Sequence, residues 1–123
     1  MYKDIVADGL NEIMNAKRAR KTEVTIKKHS RLLRGVLDIA READYLDYKV
    51  DGRELKIKIK NLNMIKVIKP RYPVSVKKLN VYVRRFLPAK NFGFIIVSTN
   101  NGLVKHNEAE EKNLGGCLIA YVY

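Results

Sequence analysis

Apolar residues recur along this chain in two rhythms, one helical and one alternating, and the switches between them mark its elements. From Lys3 to about Lys17 the residues Ile5, Val6, Leu10, Ile13 and Met14 share one face of a helix. Asp4 near its start and Lys17, Arg18, Arg20 and Lys21 near its end give the charge order that the helix dipole favours. Glu23 to Lys27 alternates with period two and predicts a short strand. Ser30 then suits the N-cap of a second helix, whose apolar face is Leu32, Leu33, Val36, Leu37 and Ala40. Leu46, Tyr48 and Val50 alternate up to Asp51-Gly52, and Leu55, Ile57 and Ile59 alternate beyond it, which predicts a β-hairpin. Its other face carries Lys49, Lys56, Lys58 and Lys60, so the small sheet is expected to be apolar on one side and cationic on the other.

The second half has a different character. Asn61 to Lys69 reads as a connector with a short strand, and Pro70-Arg71-Tyr72-Pro73 interrupts regular structure because each proline fixes φ and lacks a donor. A domain boundary is expected near Leu62 to Met64, giving an N-terminal domain 1–62 and a C-terminal domain 63–123. Val74, Val76, Val81 and Val83 predict β structure turning at Lys77-Lys78, followed by a loop through Arg84, Arg85 and Pro88 to Asn91. Phe94 to Val97 is an apolar strand that ends in Ser98-Thr99-Asn100-Asn101-Gly102, a polar mouth able to present hydrogen-bonding groups. Leu103 to Lys105 returns, and Asn107 with Glu110 has capping-box spacing for a short helix that Gly115-Gly116 would stop. Cys117 to Tyr123 is a final strand, apolar on both faces and therefore central. The fold class is α+β: an N-terminal α-β-α-β-β unit and a mostly β C-terminal unit with one short helix.

Charge changes the picture from fold to function. The 25 Lys and Arg residues against 13 Asp and Glu leave a formal +12, a self-repelling excess that a polyanionic partner explains most simply. No stretch approaches the roughly 18 to 20 apolar residues of a membrane span, and Met1-Tyr2-Lys3-Asp4 does not open a signal peptide. A single cysteine, Cys117, leaves no internal disulfide or cysteine metal site and is expected to be a buried thiol in a cytoplasmic protein.

Catalytic chemistry finds little support in the sequence. Only His29 and His106 could activate a nucleophile, and they read as a surface residue beside a helix cap and a loop residue before a helix. Glu108, Glu110 and Glu111 suit the first turn of a helix better than a metal cluster, and no glycine-rich phosphate loop precedes a helix. Neither a cofactor, a metal nor a small-molecule substrate is expected, and the chain reads as no enzyme. RNA fits instead. Lys27, Lys28, His29, Arg31 and Arg34 gather near the start of the second helix, where the dipole attracts phosphate. Tyr72, Tyr82 and Phe92 are interleaved with Arg71, Lys77, Lys78, Arg84, Arg85 and Lys90, a mixture suited to stacking and phosphate contact, although such aromatics also serve packing. Composition leaves a free regulator of messenger RNA or DNA, and a nuclease built on His29, His106 or the Glu108 to Glu111 group, as alternatives.

Leu87-Pro88-Ala89-Lys90-Asn91-Phe92-Gly93, Ile95 to Thr99 and Gly102-Leu103-Val104-Lys105-His106 resemble the signature of the small-subunit ribosomal protein eight family. Glu108 to Lys112, Gly115-Gly116 and Ala120-Tyr121-Val122-Tyr123 continue the likeness, and Ile68 to Val74 resembles the archaeal and eukaryotic branch. The resemblance implies a two-domain protein that binds the central domain of small-subunit ribosomal RNA, helps its assembly, and lies among neighbouring small-subunit proteins, a monomer when free. It places the family's Ser-Thr-Ser-x-Gly loop on Ser98, Thr99, Asn100, Asn101 and Gly102, and the RNA-facing tyrosine on Tyr82. Asn100 stands where the family commonly has Ser or Thr, and Cys117 where it has a charged residue. Lys28, Arg31, Lys56 and Lys58 complete the expected RNA-binding set. Gly102 is expected at positive φ or against RNA backbone, and Thr99→Ala is expected to weaken RNA binding without changing stability.

Overall fold

The computed structural model describes residues 5–69, 71, 73–89 and 92–123. The readings placed on Asp4, Pro70, Tyr72, Lys90 and Asn91 lie outside these residues. The fold is α+β, with the chain divided into two compact units, one ending at Lys66 and the other spanning Val67–Tyr123.

In the first unit, helix α1 (Ile5–Arg18) buries Val6, Leu10, Ile13 and Met14, while Ile5 stays outside at 36% exposure. Strand β1 (Glu23–Ile26), helix α2 (Arg31–Glu42), strand β2 (Leu46–Asp51) and strand β3 (Glu54–Ile59) follow. Ser30 caps α2 as expected, its Oγ accepting the Leu33 N–H at 3.2 Å. Leu33, Val36, Leu37 and Ala40 are buried beneath it; Leu32 is half-buried. Leu10, Ile13, Leu33 and Leu37 are almost wholly inaccessible, and each such side chain contributes about 1.5–3 kcal/mol of hydrophobic stabilisation. A Cβ on Gly9 would stand 2.7 Å from Leu33 Cδ2, so glycine is what lets α1 and α2 approach there. The sheet order is β1-β3-β2, all antiparallel. Asp51 pairs with Glu54, so the two-residue turn is Gly52-Arg53, one position later than Asp51-Gly52. Gly52 takes φ +63°, which a side chain would resist.

Helices α1 and α2 end alike. Arg20 (φ 61°) and Asp44 (φ 64°) are left-handed, and the next residues, Lys21 and Tyr45, donate back to Ala16 and Ala40 at 2.9 and 3.1 Å. Together with the bonds Arg20 N–H to Lys17 O and Asp44 N–H to Arg41 O, these are Schellman closures built without glycine.

The second unit is organised around strand β6 (Phe94–Thr99), with Phe94 to Val97 buried. Strand β4 (Ile65–Val67), within which the division falls, opens a sheet of order β4-β8-β6-β7, and β5 (Pro73–Val74) also pairs with β8. Strand β7 (Gly102–Lys105) returns antiparallel to β6, and strand β8 (Gly116–Val122) lies on its other side, as its apolar faces predicted. Helix α4 (His106–Glu111) sits between β7 and β8 in sequence.

One segment differs from its sequence reading. The β structure expected around Val76, Val81 and Val83 is a single 3₁₀ turn (Val76–Lys78) running into helix α3 (Leu79–Phe86). Valine favours strands only where the pleated face is covered; here Val81 is 63% exposed, while Leu79, Val83 and Leu87, four residues apart, enter the core with Ile95, Val97 and Leu118. The helical spacing of those three side chains outweighed valine propensity. The helix α4 also starts and stops differently. Lys105 holds the N-cap position without a side-chain bond, Asn107 lies inside the helix, and Asn113 (φ 55°), not Gly115-Gly116, closes it through Leu114 N–H to Ala109 O at 2.8 Å.

His106 is a core residue, 6% exposed, rather than part of a loop. Its Nδ1 accepts the Ile95 N–H at 3.0 Å, filling the place of a ladder carbonyl just where β7 has ended. His29 is half-buried, with Nε2 3.2 Å from the Arg53 carbonyl, and Cys117 is half-buried rather than enclosed.

Candidate nucleic-acid interface

Two strands and a glycine build the mouth singled out in the sequence. Ser98 and Thr99 still belong to β6, Gly102 begins β7, and Thr99 faces Gly102 across a loop of only Asn100 and Asn101. Gly102 alone carries positive φ there, +99°, the pattern of a turn closed by a glycine bulge. A Cβ added to it would meet nothing within 4 Å, so conformation rather than crowding within the chain demands glycine, and the space beside it is open.

Thr99 locks the turn. Its hydroxyl donates to the Gly102 carbonyl at 2.9 Å and accepts the Asn101 N–H at 3.1 Å. With its proton used internally, Thr99 can offer a ligand only a remaining lone pair. Ser98, Asn100 and Asn101 make no side-chain hydrogen bond among the described residues, and both asparagines are exposed. Each asparagine amide brings donor and acceptor together. Behind the mouth, Ser98 is flanked by Leu103 on β7 and Cys117 on β8. A Cβ on Gly116 would fall 2.1 Å from the Ser98 carbonyl, so this glycine sets how closely β8 can support Ser98.

Tyr82 begins a line of aromatic rings. It stacks on Phe86 (6.4 Å, 11°), Phe86 on Tyr121 (5.3 Å, 22°) and Tyr121 on Tyr123 (6.2 Å, 12°), with Phe92 tilted against Tyr123. Tyr82 is half-buried against the core and Phe92 is 47% exposed. Burial, and secondarily the neighbouring Tyr123, raises the Tyr121 hydroxyl above its ordinary value, leaving it a neutral donor. Arg85 stands 5.4 Å over the Phe86 ring, while Arg84, Lys77 and Lys78 are exposed nearby in sequence. A signal in the sequence marks this region, although residue-by-residue motif reading passes over it: no Asp or Glu occurs from Leu55 to Asn107.

The N-terminal sheet contradicts the expectation of a cationic face. Lys58 sits between Glu23 and Asp47 in register, Lys56 Nζ is 2.9 Å from Asp51 Oδ2, and Lys60 is 3.3 Å from Asp44. Asp51 is held below the usual carboxylate range by its hydrogen bond and charge interaction with Lys56, which is itself raised. Every lysine on this face therefore has an acid nearby, Lys49 included: it faces Lys56 and its charge also acts on Asp51. Register decided this, since acids from three separate segments converge there. By contrast, Lys28 is exposed just before α2, Arg31 is its exposed first residue, and the first turn of α2 holds no acid.

Among the described residues, no group of three His, Cys, Asp or Glu side chains could hold a metal, and no helix is long and apolar enough to cross a membrane. The comparisons with known proteins point one way. The sequence matches the family described as Ribosomal protein S8 over residues 4–123. It is similar to the small ribosomal subunit protein uS8 of the archaeon Desulfurococcus amylolyticus, 43% identical over 129 residues that cover 98% of this chain and 97% of that relative.

Proposed function

The chain belongs to the ribosomal protein S8 family, and on that premise we propose that it is a structural constituent of the small ribosomal subunit, binding the central domain of small-subunit ribosomal RNA during assembly. The observation that carries the RNA reading is the β6–β7 mouth: two exposed asparagines and Ser98 grouped around an uncrowded Gly102, in a stretch without a carboxylate. Ser98, Asn100 and Asn101 read base edges and sugar hydroxyls of an irregular helix, and Gly102 lets the RNA backbone come close. Tyr82, at the end of the aromatic line, offers a ring to an unstacked base, with Arg84, Arg85, Lys77 and Lys78 supplying phosphate contacts. Lys28 and Arg31 at the start of α2 give the N-terminal unit a second phosphate contact, to which Lys56 and Lys58 contribute less because carboxylates flank them. Such a role places the protein in the cytoplasm within the small subunit beside other ribosomal proteins, and it requires no catalytic group.

Hydroxyl-radical footprinting of the purified protein on full-length small-subunit ribosomal RNA tests this. Protection is expected to centre on an internal loop of the central domain and to disappear in the Asn100→Ala/Asn101→Ala double variant. Protection lying elsewhere, or unchanged in that variant, would overturn the assignment of the mouth.

A further inference from the structure

The aromatic line of the C-terminal unit has two ends. Phe86 lies between Tyr82 and Tyr121, Tyr121 between Phe86 and Tyr123, and Tyr123 between Tyr121 and Phe92, so each of these three rings has a neighbour on either side. A terminal ring is the one placed to present a face. Tyr82 is one terminus and already belongs to the RNA reading; Phe92 is the other. Its ring is tilted by 49° against Tyr123 at 6.0 Å and remains 47% exposed, so one side packs and the other meets solvent.

The backbone holds this ring in place. Phe92 N–H donates to Ala89 O at 3.1 Å, which closes a turn behind it. Gly93 follows at φ +83°, and a Cβ there would run into the Val122 carbonyl and stand 2.5 Å from Tyr123 Cβ. Glycine is what lets the chain pass so close to the end of β8, and that approach keeps Phe92 against Tyr123. An aromatic ring fixed in this way loses little entropy when a flat partner lands on its open face. The order of charges along the chain narrows the partner: Arg84, Arg85 and Lys90 precede Phe92, Lys105 follows it, and no acid occurs between Leu55 and Asn107. A nucleotide joins a flat base to an anionic phosphate, which matches an exposed ring in a basic, acid-free segment; an apolar peptide would use the ring alone. We propose that Phe92 is a second base-stacking site for RNA, taking an unpaired base other than the one offered to Tyr82, from which three intervening rings separate it. This rests on the RNA reading of the C-terminal unit but not on the β6–β7 mouth.

The test uses the full-length chain with ¹³C-labelled phenylalanine rings and two probes, single-stranded hexaadenylate and its abasic counterpart of the same length and charge. Hexaadenylate should move the Phe92 ring protons upfield, as a stacked base does, and the abasic strand should leave them in place. Phe92→Leu should bind hexaadenylate about tenfold more weakly with an unchanged salt slope, while Phe92→Tyr binds as the parent does. The two probes are compared on the unaltered protein, so the outcome does not depend on a variant folding. Phe92 signals that stay in place, or that move equally with the abasic strand, would overturn base stacking. Movement of those signals on raising the protein concentration without RNA would show that a second copy of this chain covers the ring, and would overturn it too. The footprint reports on Asn100 and Asn101 and the ring signals on Phe92, so either assignment can fail while the other stands.

Discussion

Thr99 shows how a residue's neighbours change what its mutation measures. From sequence its hydroxyl is free to meet RNA, and Thr99→Ala is expected to leave stability alone. In the folded chain that hydroxyl makes two hydrogen bonds inside the turn, to Gly102 O and from Asn101 N–H. Thr99→Ala should therefore cost about 1–2 kcal/mol of stability as well as RNA affinity, while Thr99→Ser retains both. Paired measurements of thermal unfolding and RNA binding check this, and an unchanged melting temperature in the alanine variant would contradict the internal role. His106 gives a second case. Burial lowers its pKa below the ordinary 6.5, opposed more weakly by Glu110, and its Nδ1 must stay unprotonated to accept from Ile95. A depressed folded pKa means that the unfolded chain takes up the proton first. Its contribution to stability is complete above about pH 6.5 and declines as pH falls through that value towards the folded pKa. Urea unfolding from neutral to mildly acidic pH should show the decline in the parent and a smaller one in His106→Asn, whose Oδ1 can still accept. Equal pH dependence in the two proteins would refute it.

Among elements, the β2–β3 hairpin and helix α3 exchange the importance their sequences suggest. The hairpin was legible in outline, from alternation and a turn glycine, yet its lysines meet Glu23 from another strand and Asp47 and Asp51 from their own hairpin. Lys56→Ala should consequently alter the slope of log affinity against log salt by well under the ~0.7–0.9 per phosphate contact of a free cation, and Lys78→Ala by about that amount. Titrations of both variants at several salt concentrations decide it; the same change for each would show that Asp51 does not neutralise Lys56. Helix α3 was hidden by its valines. Its real mark was Leu79, Val83 and Leu87 at every fourth position, with Tyr82 and Phe86 repeating the interval so that their rings stack. α4 was legible as a helix but not in its ends, because its N-cap makes no side-chain bond and its C-terminus closes on an asparagine.

At the scale of the molecule, the +12 charge is distributed unevenly between functions. Past Glu54 the next acids are Glu108, Glu110 and Glu111, all on or beside one another in α4, while the first unit mixes both signs. RNA binding that draws on this acid-free span should weaken steeply with salt, by roughly a thousandfold between 50 and 200 mM if about six phosphates are neutralised. A loss of tenfold or less, measured by filter binding to a central-domain fragment, would mean that few cations reach phosphate. The amino-acid sequence by itself determined the α+β class, the first two helices and the hairpin, the apolar strand with its polar mouth, the need for Gly102, and the family. These depend on short-range periodicity, backbone conformation and local residue order, which are written along the chain. Only the tertiary structure decided that Thr99 is already bonded, that His106 is a core acceptor, that valines ride on a helix, and that the lysine face is neutralised. Each of those is a meeting of residues brought together by register and packing, and in this chain neither can be read until the strands are paired.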